Sequence, residues 1–223
     1  MLGIFKRMHK SSKLRMKWFI ENYLSENQKV LDVGACDHNG SYRELFEKFG
    51  HEYYGLDMID SPNVDILVEN PYDWSNIPDD SFDVVVSGQT FEHNEFFWVT
   101  MDQMTRVLKK EGLMCIVAPC CWKEHRYPVD CYRFFTDGMM ALARYNSLIP
   151  LHAHTNCAPS KSKKHLEWFS RDNTDSMLIA KKPYSGEAKY PDFKRYVCEP
   201  ADQQSLRGKM VPYKRSMVLD EDD

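Results

Sequence analysis

The chain has 223 residues, of which 43% are apolar and 28% charged, close to the average for soluble globular domains. That composition excludes disorder throughout, a collagen-like repeat and a disulfide mini-scaffold. No apolar run is long enough for a spanning helix, and the start, MLGIFKRMHKSSK, has too short an apolar stretch for a secretory signal. A cytoplasmic protein with no membrane span is expected. The formal net charge of -4 is unevenly placed. Residues 1–17 carry six Lys/Arg and no acid, whereas the remainder holds 23 Lys/Arg against 33 Asp/Glu. An acidic body argues against a broad nucleic-acid face, and no DNA partner is expected. The basic arm, residues 1–24, reads as a solvated helix face, with RNA, anionic lipid or a second subunit as its conceivable partners.

Taken in chain order, Lys29–Gly34 is an apolar strand ending in glycine. Ser41-x-x-Glu44 offers a capping box for a helix that stops at Gly50. Strand-like runs follow at Glu52–Asp57, Val64–Val68 and Phe82–Ser87. A helix is predicted over about Asn94–Lys110, because Phe97, Met101, Met104 and Leu108 share one face of a 3.6-residue period. Lys109 and Lys110 would complement its dipole, and Gly112 would end it. Leu113–Ala118 is another strand, Thr136 is a cap for a helix running to about Tyr145, and strands are expected near Leu151–Asn156 and Ser176–Lys181. Strand–helix alternation in this order implies a mostly parallel sheet with helices on both faces, an α/β domain over residues 25–182. Residues 183–223 read as an aromatic-containing, charge-rich tail.

Seven cysteines, none in a CxxC pair, read as reduced thiols. A metal held by Cys120, Cys121, His125 and Cys131 is conceivable from their nearness in the chain. No Asp/His cluster has convincing ligand spacing, so no metal is expected.

The loop after the first strand is Asp32-Val33-Gly34-Ala35-Cys36-Asp37-His38-Asn39-Gly40-Ser41. It lacks the second and third glycines of a dinucleotide fingerprint, and Asp37 would repel a diphosphate. Such a loop suits a cofactor without phosphates, preferably a cationic one. Asp57 closes the second strand, where a carboxylate accepts hydrogen bonds from ribose hydroxyls.

These residues resemble the class I S-adenosylmethionine-dependent methyltransferases. Val30-Leu31-Asp32-Val33-Gly34 looks like their first motif and Asp57 like their ribose-binding acid. Asp80–Ser87 looks like the fourth strand with its approach, and Leu108-Lys109-Lys110-Glu111-Gly112 like the approach to the fifth. One departure is Cys36 in place of the second glycine of the G-x-G-x-G loop. The strings G-A-C-D-H-N-G-S-Y, S-G-Q-T-F-E-H and E-H-R-Y-P-V-D-C-Y-R-F resemble a bacterial branch found with surface-polysaccharide and small-metabolite modification genes.

The resemblance implies a Rossmann-like fold with a seven-stranded mostly parallel sheet, and S-adenosylmethionine as cofactor. It implies that Gly34, Ala35, Cys36, Asp37 and Gly40 contact the methionine moiety and Asp57 the ribose. Met58 with Asn70, Pro71 and Tyr72 would lie by adenine, and Ser87, Gly88 and Gln89 by the sulfonium. His125, with His93 second, is the candidate base for a hydroxyl acceptor, since a positioned base contributes about 10²–10⁴-fold. Arg126 and Arg133 are candidates to clamp an anionic group, and Trp122 and Tyr132 to stack on a sugar or base.

The expected activity is methyl transfer to a small polar acceptor, a hydroxyl of a sugar, nucleotide-linked sugar or phosphorylated metabolite; methylation of an amine fits the same residues. The rival readings are an RNA or protein methyltransferase docking through the arm, a non-catalytic cofactor-binding protein, and an NAD-dependent oxidoreductase, which the missing glycines disfavour. The arm and the tail together hint at a homodimer.

Overall fold

A computed structural model describes residues 10–37, 40–121, 123–155 and 174–184. Trp122, His38, Asn39, most of the C-terminal tail and the start of the arm before Lys10 lie outside the described residues.

Helix α1 (Lys10–Tyr23) precedes β1 (Lys29–Val33), α2 (Arg43–Lys48), β2 (Glu52–Asp57), β3 (Ile66–Leu67) and β4 (Phe82–Gly88). A short 3-10 turn (Phe91–His93) leads to α3 (Phe97–Val107), β5 (Leu108–Cys121), α4 (Thr136–Tyr145), β6 (Ile149–Thr155) and β7 (Thr174–Lys181). The strands form one seven-stranded sheet in the order β3-β2-β1-β4-β5-β7-β6. β1 pairs in parallel with β2 and β4, and β4 in parallel with β5, while β7 runs antiparallel between β5 and β6. The expected mostly parallel α/β sheet is therefore present.

Alternation along each strand divides the core between two faces. Val30, Val84, Val86, Cys115, Val117, Met177 and Ile179 pack on one side with Met16, Phe19 and Ile20 of α1 and Phe46 of α2. Leu31, Val33, Val85, Met114, Ile116 and Leu178 pack on the other with Met101 and Met104 of α3 and Met139, Met140 and Leu142 of α4. A fully buried side chain of this kind contributes about 1.5–3 kcal/mol. The apolar stripe of α1 thus makes it a structural layer of the sheet, not a solvated arm. One of the arm's basic residues, Arg15, is fully buried beside the equally buried Asp175, with Nη1–Oδ2 at 3.7 Å. Asp175 also accepts from Ser11 Oγ at 2.5 Å and Gln89 Nε2 at 3.1 Å.

Several local expectations are corrected. The helix expected over Asn94–Lys110 is shorter. It begins at Phe97, after the 3-10 turn, and the chain becomes extended at Leu108, whose φ of −72° and ψ of 130° end the helix. Lys109 and Lys110 therefore lie on β5 and complete no helix dipole. Lys109 instead bonds Asp83 at 2.7 Å. Pairing of Phe82 with Leu108 explains the outcome, since sheet hydrogen bonds take over where the helical face would continue. Thr136 is the first helical residue rather than the cap, and its hydroxyl meets Thr155 Oγ1 at 2.8 Å. The expected capping box does not form: Tyr42 is the N-cap and makes no side-chain cap bond, while Ser41 Oγ, one residue earlier, accepts from the Arg43 backbone N–H at 2.9 Å.

Candidate functional site

β1, β2, β4 and β5 all end at one edge of the sheet, and the strand order reverses between β1 and β4. A ligand crevice belongs outside the carboxyl ends of strands at such a switch point. Two groups of side chains gather there.

The first group belongs to the ends of β1 and β2. The chain leaves β1 with Gly34 at φ +83°, where a Cβ would stand 2.1 Å from Thr90 Oγ1. Gly34 therefore serves both a left-handed turn and the close approach of the segment after β4. The backbone N–H groups of Gly34 and Ala35 both donate to Leu56 O, at 2.9 and 3.1 Å. Asn63 Nδ2 donates to Ala35 O at 2.6 Å. Asp37 turns back on its own loop, accepting from the Gly40 N–H at 2.6 Å. Asp57, at the end of β2, accepts from the Cys36 N–H at 2.9 Å and from the Met58 and Ile59 N–H groups at 2.7 and 3.1 Å. The loop after β1 and the acid after β2 are thereby locked together by main-chain donors. Met58 and Ile59 beside it are each half exposed, at 51%. Asn70 Oδ1 accepts from the Tyr72 N–H at 2.9 Å, and the Pro71 carbonyl accepts from Thr100 Oγ1 at 3.1 Å, which pins the 70–72 turn against α3. The Tyr72 ring meets Phe96 at 5.3 Å.

Beneath this loop lies Asp32, 4% exposed, with Tyr53 donating its hydroxyl to Oδ2 at 2.6 Å. Burial pushes the Asp32 carboxyl up to about 7 against the stabilising Tyr53 hydrogen bond. Asp32 thus ties the end of β1 to β2 beneath the loop. Ser87 is buried, its hydroxyl donating to Val33 O at 2.8 Å, and a Cβ on Gly88 would fall 2.1 Å from Tyr42 Oη. Gln89, at φ +60°, sends its amide to Asp175 on the α1 side. In these three residues the side-chain positions are taken up by the fold, and what remains at the edge is backbone.

The second group belongs to the segments after β4 and β5. His93 Nδ1 lies 2.6 Å from Val129 O, and the His93 ring stands perpendicular to that of His125, with centroids 4.9 Å apart. Burial lowers the His93 pKa, the Val129 contact opposing it. His125 Nδ1 lies 3.0 Å from Lys123 O. Tyr127, half exposed, faces both rings at 5.9 and 6.2 Å. The two histidines singled out from the sequence are therefore brought together.

Glu92, fully buried, places its Oε1 3.7 Å from His93 Nε2. Its carboxyl is pushed up to about 8 by burial. The backbone secures the neighbourhood, with Cys131 N–H donating to Glu92 O at 2.6 Å.

The remaining acceptor-side expectations fare unequally. Arg133 grips Asp130 with both terminal nitrogens, Nη1–Oδ1 at 2.5 Å and Nη2–Oδ2 at 2.8 Å, and Asp130 is held well below the usual carboxylate range by that hydrogen bonding. The Arg133 guanidinium is thus engaged within its own loop. Tyr132 donates its hydroxyl to Glu95 O at 2.9 Å and packs edge-on against Phe97 at 4.9 Å, as a buttress of the core. Arg126 is exposed and paired with Glu124 at 2.9 Å. Trp122 lies outside the described residues. Tyr127 and Thr90 are the residues that sequence reasoning passed over. Both lie within the strings S-G-Q-T-F-E-H and E-H-R-Y-P-V-D-C-Y-R-F, but Tyr127 was one of many aromatics, and nothing in the string tells that Thr90 packs on Gly34.

A family model described as a methyltransferase domain matches residues 31–116, a span running from β1 into β5. This is the class I methyltransferase fold. A methyltransferase of Archaeoglobus fulgidus described as S-adenosylmethionine-dependent superposes with a TM-score of 0.57 at 16% identity, over 80% of this chain and 96% of that one. The Burkholderia thailandensis 1,6-didemethyltoxoflavin-N1-methyltransferase, solved with its acceptor and S-adenosylhomocysteine, gives 0.58 at 15% identity, over 78% of this chain and 80% of that one. The [4+2]-cyclase SpnF gives 0.57 at 14% identity, over 78% of this chain and 81% of that one. At these identities the likeness concerns the fold, and SpnF shows that the methyltransferase fold also hosts other chemistry. No curated protein matches the chain. Among the described residues, no helix is long and apolar enough to cross a membrane.

Proposed function

We propose that the chain is an S-adenosylmethionine-dependent methyltransferase acting on a small polar acceptor, a hydroxyl of a sugar, nucleotide-linked sugar or phosphorylated metabolite. The observation that carries the cofactor reading is Asp57, whose carboxylate is fixed at the switch-point edge by three main-chain N–H donors. Those donors aim the carboxylate, two on Oδ1 and one on Oδ2, and leave a lone-pair site on Oδ2 for a ribose hydroxyl. The exposed Met58 side chain and the 70–72 turn suit the flat adenine, and the glycine-turned loop after β1 suits the methionine moiety. Bound there, the cofactor supplies an electrophilic methyl group on a positively charged sulfur.

The rest of the task is positioning, which in general supplies about 7–11 kcal/mol of barrier reduction. The acceptor's hydroxyl is engaged at the His93–His125 pair, where His125, with His93 second, takes up the proton it loses as its oxygen receives the methyl group. Tyr127 shields that side of the pair. A sugar-like acceptor fits the polar, partly exposed character of the segment after β5, where Lys123 and Arg126 are exposed cations. A cytoplasmic location and a homodimer belong to the same reading.

The test is calorimetric binding of S-adenosylhomocysteine to the full chain. Binding is expected, weakened about 10- to 100-fold by Asp57→Ala, since each charge-assisted hydrogen bond is worth about 1.5–3 kcal/mol. Binding of NAD in place of S-adenosylhomocysteine, or equal affinity in Asp57→Ala, would overturn the reading.

A further inference from the structure

Glu92 is fully buried, and neither of its carboxylate oxygens has a hydrogen-bond partner among the described residues. Buried polar groups are almost always paired, so an orphaned carboxylate calls for an explanation. Arg133, which acts on it electrostatically, is already committed to Asp130. What stands next to Glu92 is a pair of imidazoles. His93 Nε2 lies 3.7 Å from Glu92 Oε1, while His93 Nδ1 is occupied by the Val129 carbonyl. A ring that donates through Nδ1 presents its Nε2 lone pair, the support usually found behind a metal-binding histidine. His125 is oriented in the same manner, its Nδ1 near the Lys123 carbonyl. One ligand atom from each of Glu92, His93 and His125 lies within 4.8 Å of the others.

We infer that Glu92, His93 and His125 form a binding site for a divalent first-row transition-metal ion. Two imidazoles and one carboxylate suit zinc, cobalt or iron(II), whereas magnesium and calcium favour oxygen ligands alone. Bonds of about 2.0–2.2 Å set ligand separations near 3–3.5 Å, so a pair as far apart as 4.8 Å closes by about 1.3–1.8 Å. His125 lies on a segment without regular structure between β5 and α4, which permits that movement. Three protein ligands leave positions open. The inference deepens the proposed function and rests on it at one point, that this edge receives the acceptor. With the ion bound, the two imidazoles would be ligands instead of bases, and a hydroxyl coordinated to the ion would be acidified enough to give its proton to solvent.

Cobalt(II) is the probe. The full chain, stripped with a chelator, is titrated with Co²⁺ and followed by calorimetry and visible absorption, with S-adenosylhomocysteine binding measured on the same preparation. One Co²⁺ per chain is expected, with affinity at least tenfold weaker in His125→Ala and in Glu92→Gln. The unfolding midpoint of each metal-free variant checks that it is folded, and His125→Ala, on a loop, is the safer of the two. The spectrum is expected to lack the intense near-ultraviolet band of thiolate ligation. The inference is overturned if the chain takes up no Co²⁺, if the folded variants bind it as tightly, or if the thiolate band accompanies all binding. Loss of S-adenosylhomocysteine binding with Co²⁺ binding retained would remove the proposed function and leave the metal site standing.

Discussion

The two halves of the sheet edge are built on opposite plans. Around β1 and β2, the groups that matter are tied by short main-chain bonds: Asp57 to Cys36, Met58 and Ile59, and Gly34 and Ala35 to Leu56. Around the segments after β4 and β5, side chains from positions 92–93 and 123–133 meet across the fold, and a buried carboxylate is left without a hydrogen-bond partner among the described residues. A cofactor shared by many reactions can be held by geometry that backbone amides supply. An acceptor peculiar to one reaction needs side chains, and these gather on irregular segments carried by a rigid sheet.

Three changes would break or sharpen that contrast. The largest effect is expected at Asp32, under the half proposed to hold the cofactor. Its folded-state carboxyl sits at about 7, above the unfolded value near 4, so the folded protein binds the extra proton between those values. The contribution of Asp32 is thus most favourable below about pH 4 and is lost as pH rises to about 7. Asp32→Asn, which keeps an acceptor for Tyr53, should match the parent at pH 4 and exceed it by up to about 4 kcal/mol at pH 8. Urea unfolding across that range is the check, and a pH-independent difference would refute the assignment.

Gly34→Ala should cost somewhat less, about 3 kcal/mol, from the left-handed turn and the clash with Thr90 combined. Adding Thr90→Ala should recover part of the loss, because Oγ1 and Cγ2 are the nearest atoms. Thermal unfolding of the single and double variants measures it.

The smallest change belongs to the other half. Arg133→Ala strips the Asp130 carboxylate, its side chain 1% exposed, of its cation, at a cost of about 1–3 kcal/mol. The effect should be local, with faster amide exchange over residues 123–133 and S-adenosylhomocysteine binding unaltered. Equal weakening of cofactor binding would show that the two halves are not independent.

Most of the fold was legible because it follows from short-range periodicity. Val30, Leu31 and Val33 are buried together as the apolar run of a strand must be, and β2 has the predicted bounds. The end of α3 was not legible. Leu108 fits both the helical stripe and a strand, and the partner that decides between them is Phe82, on the far side of α3 in the chain. Nor was the burial of α1, for the basic residues of the arm outweigh its Met16, Phe19 and Ile20 stripe in composition, and Arg15 meets Asp175 only because β7 is laid into the sheet beneath α1.

The sequence by itself determined the α/β order, the glycine-turned loop after β1 and the acid closing β2, because each depends on residues close in the chain and on backbone bonds between adjacent strands. It also named His93 and His125 singly. Tertiary structure alone decided that they face each other and that Glu92 lies buried beside them. Spacing along the chain carries no trace of that cluster, since its members stand on two segments brought together only by the parallel pairing of β4 with β5.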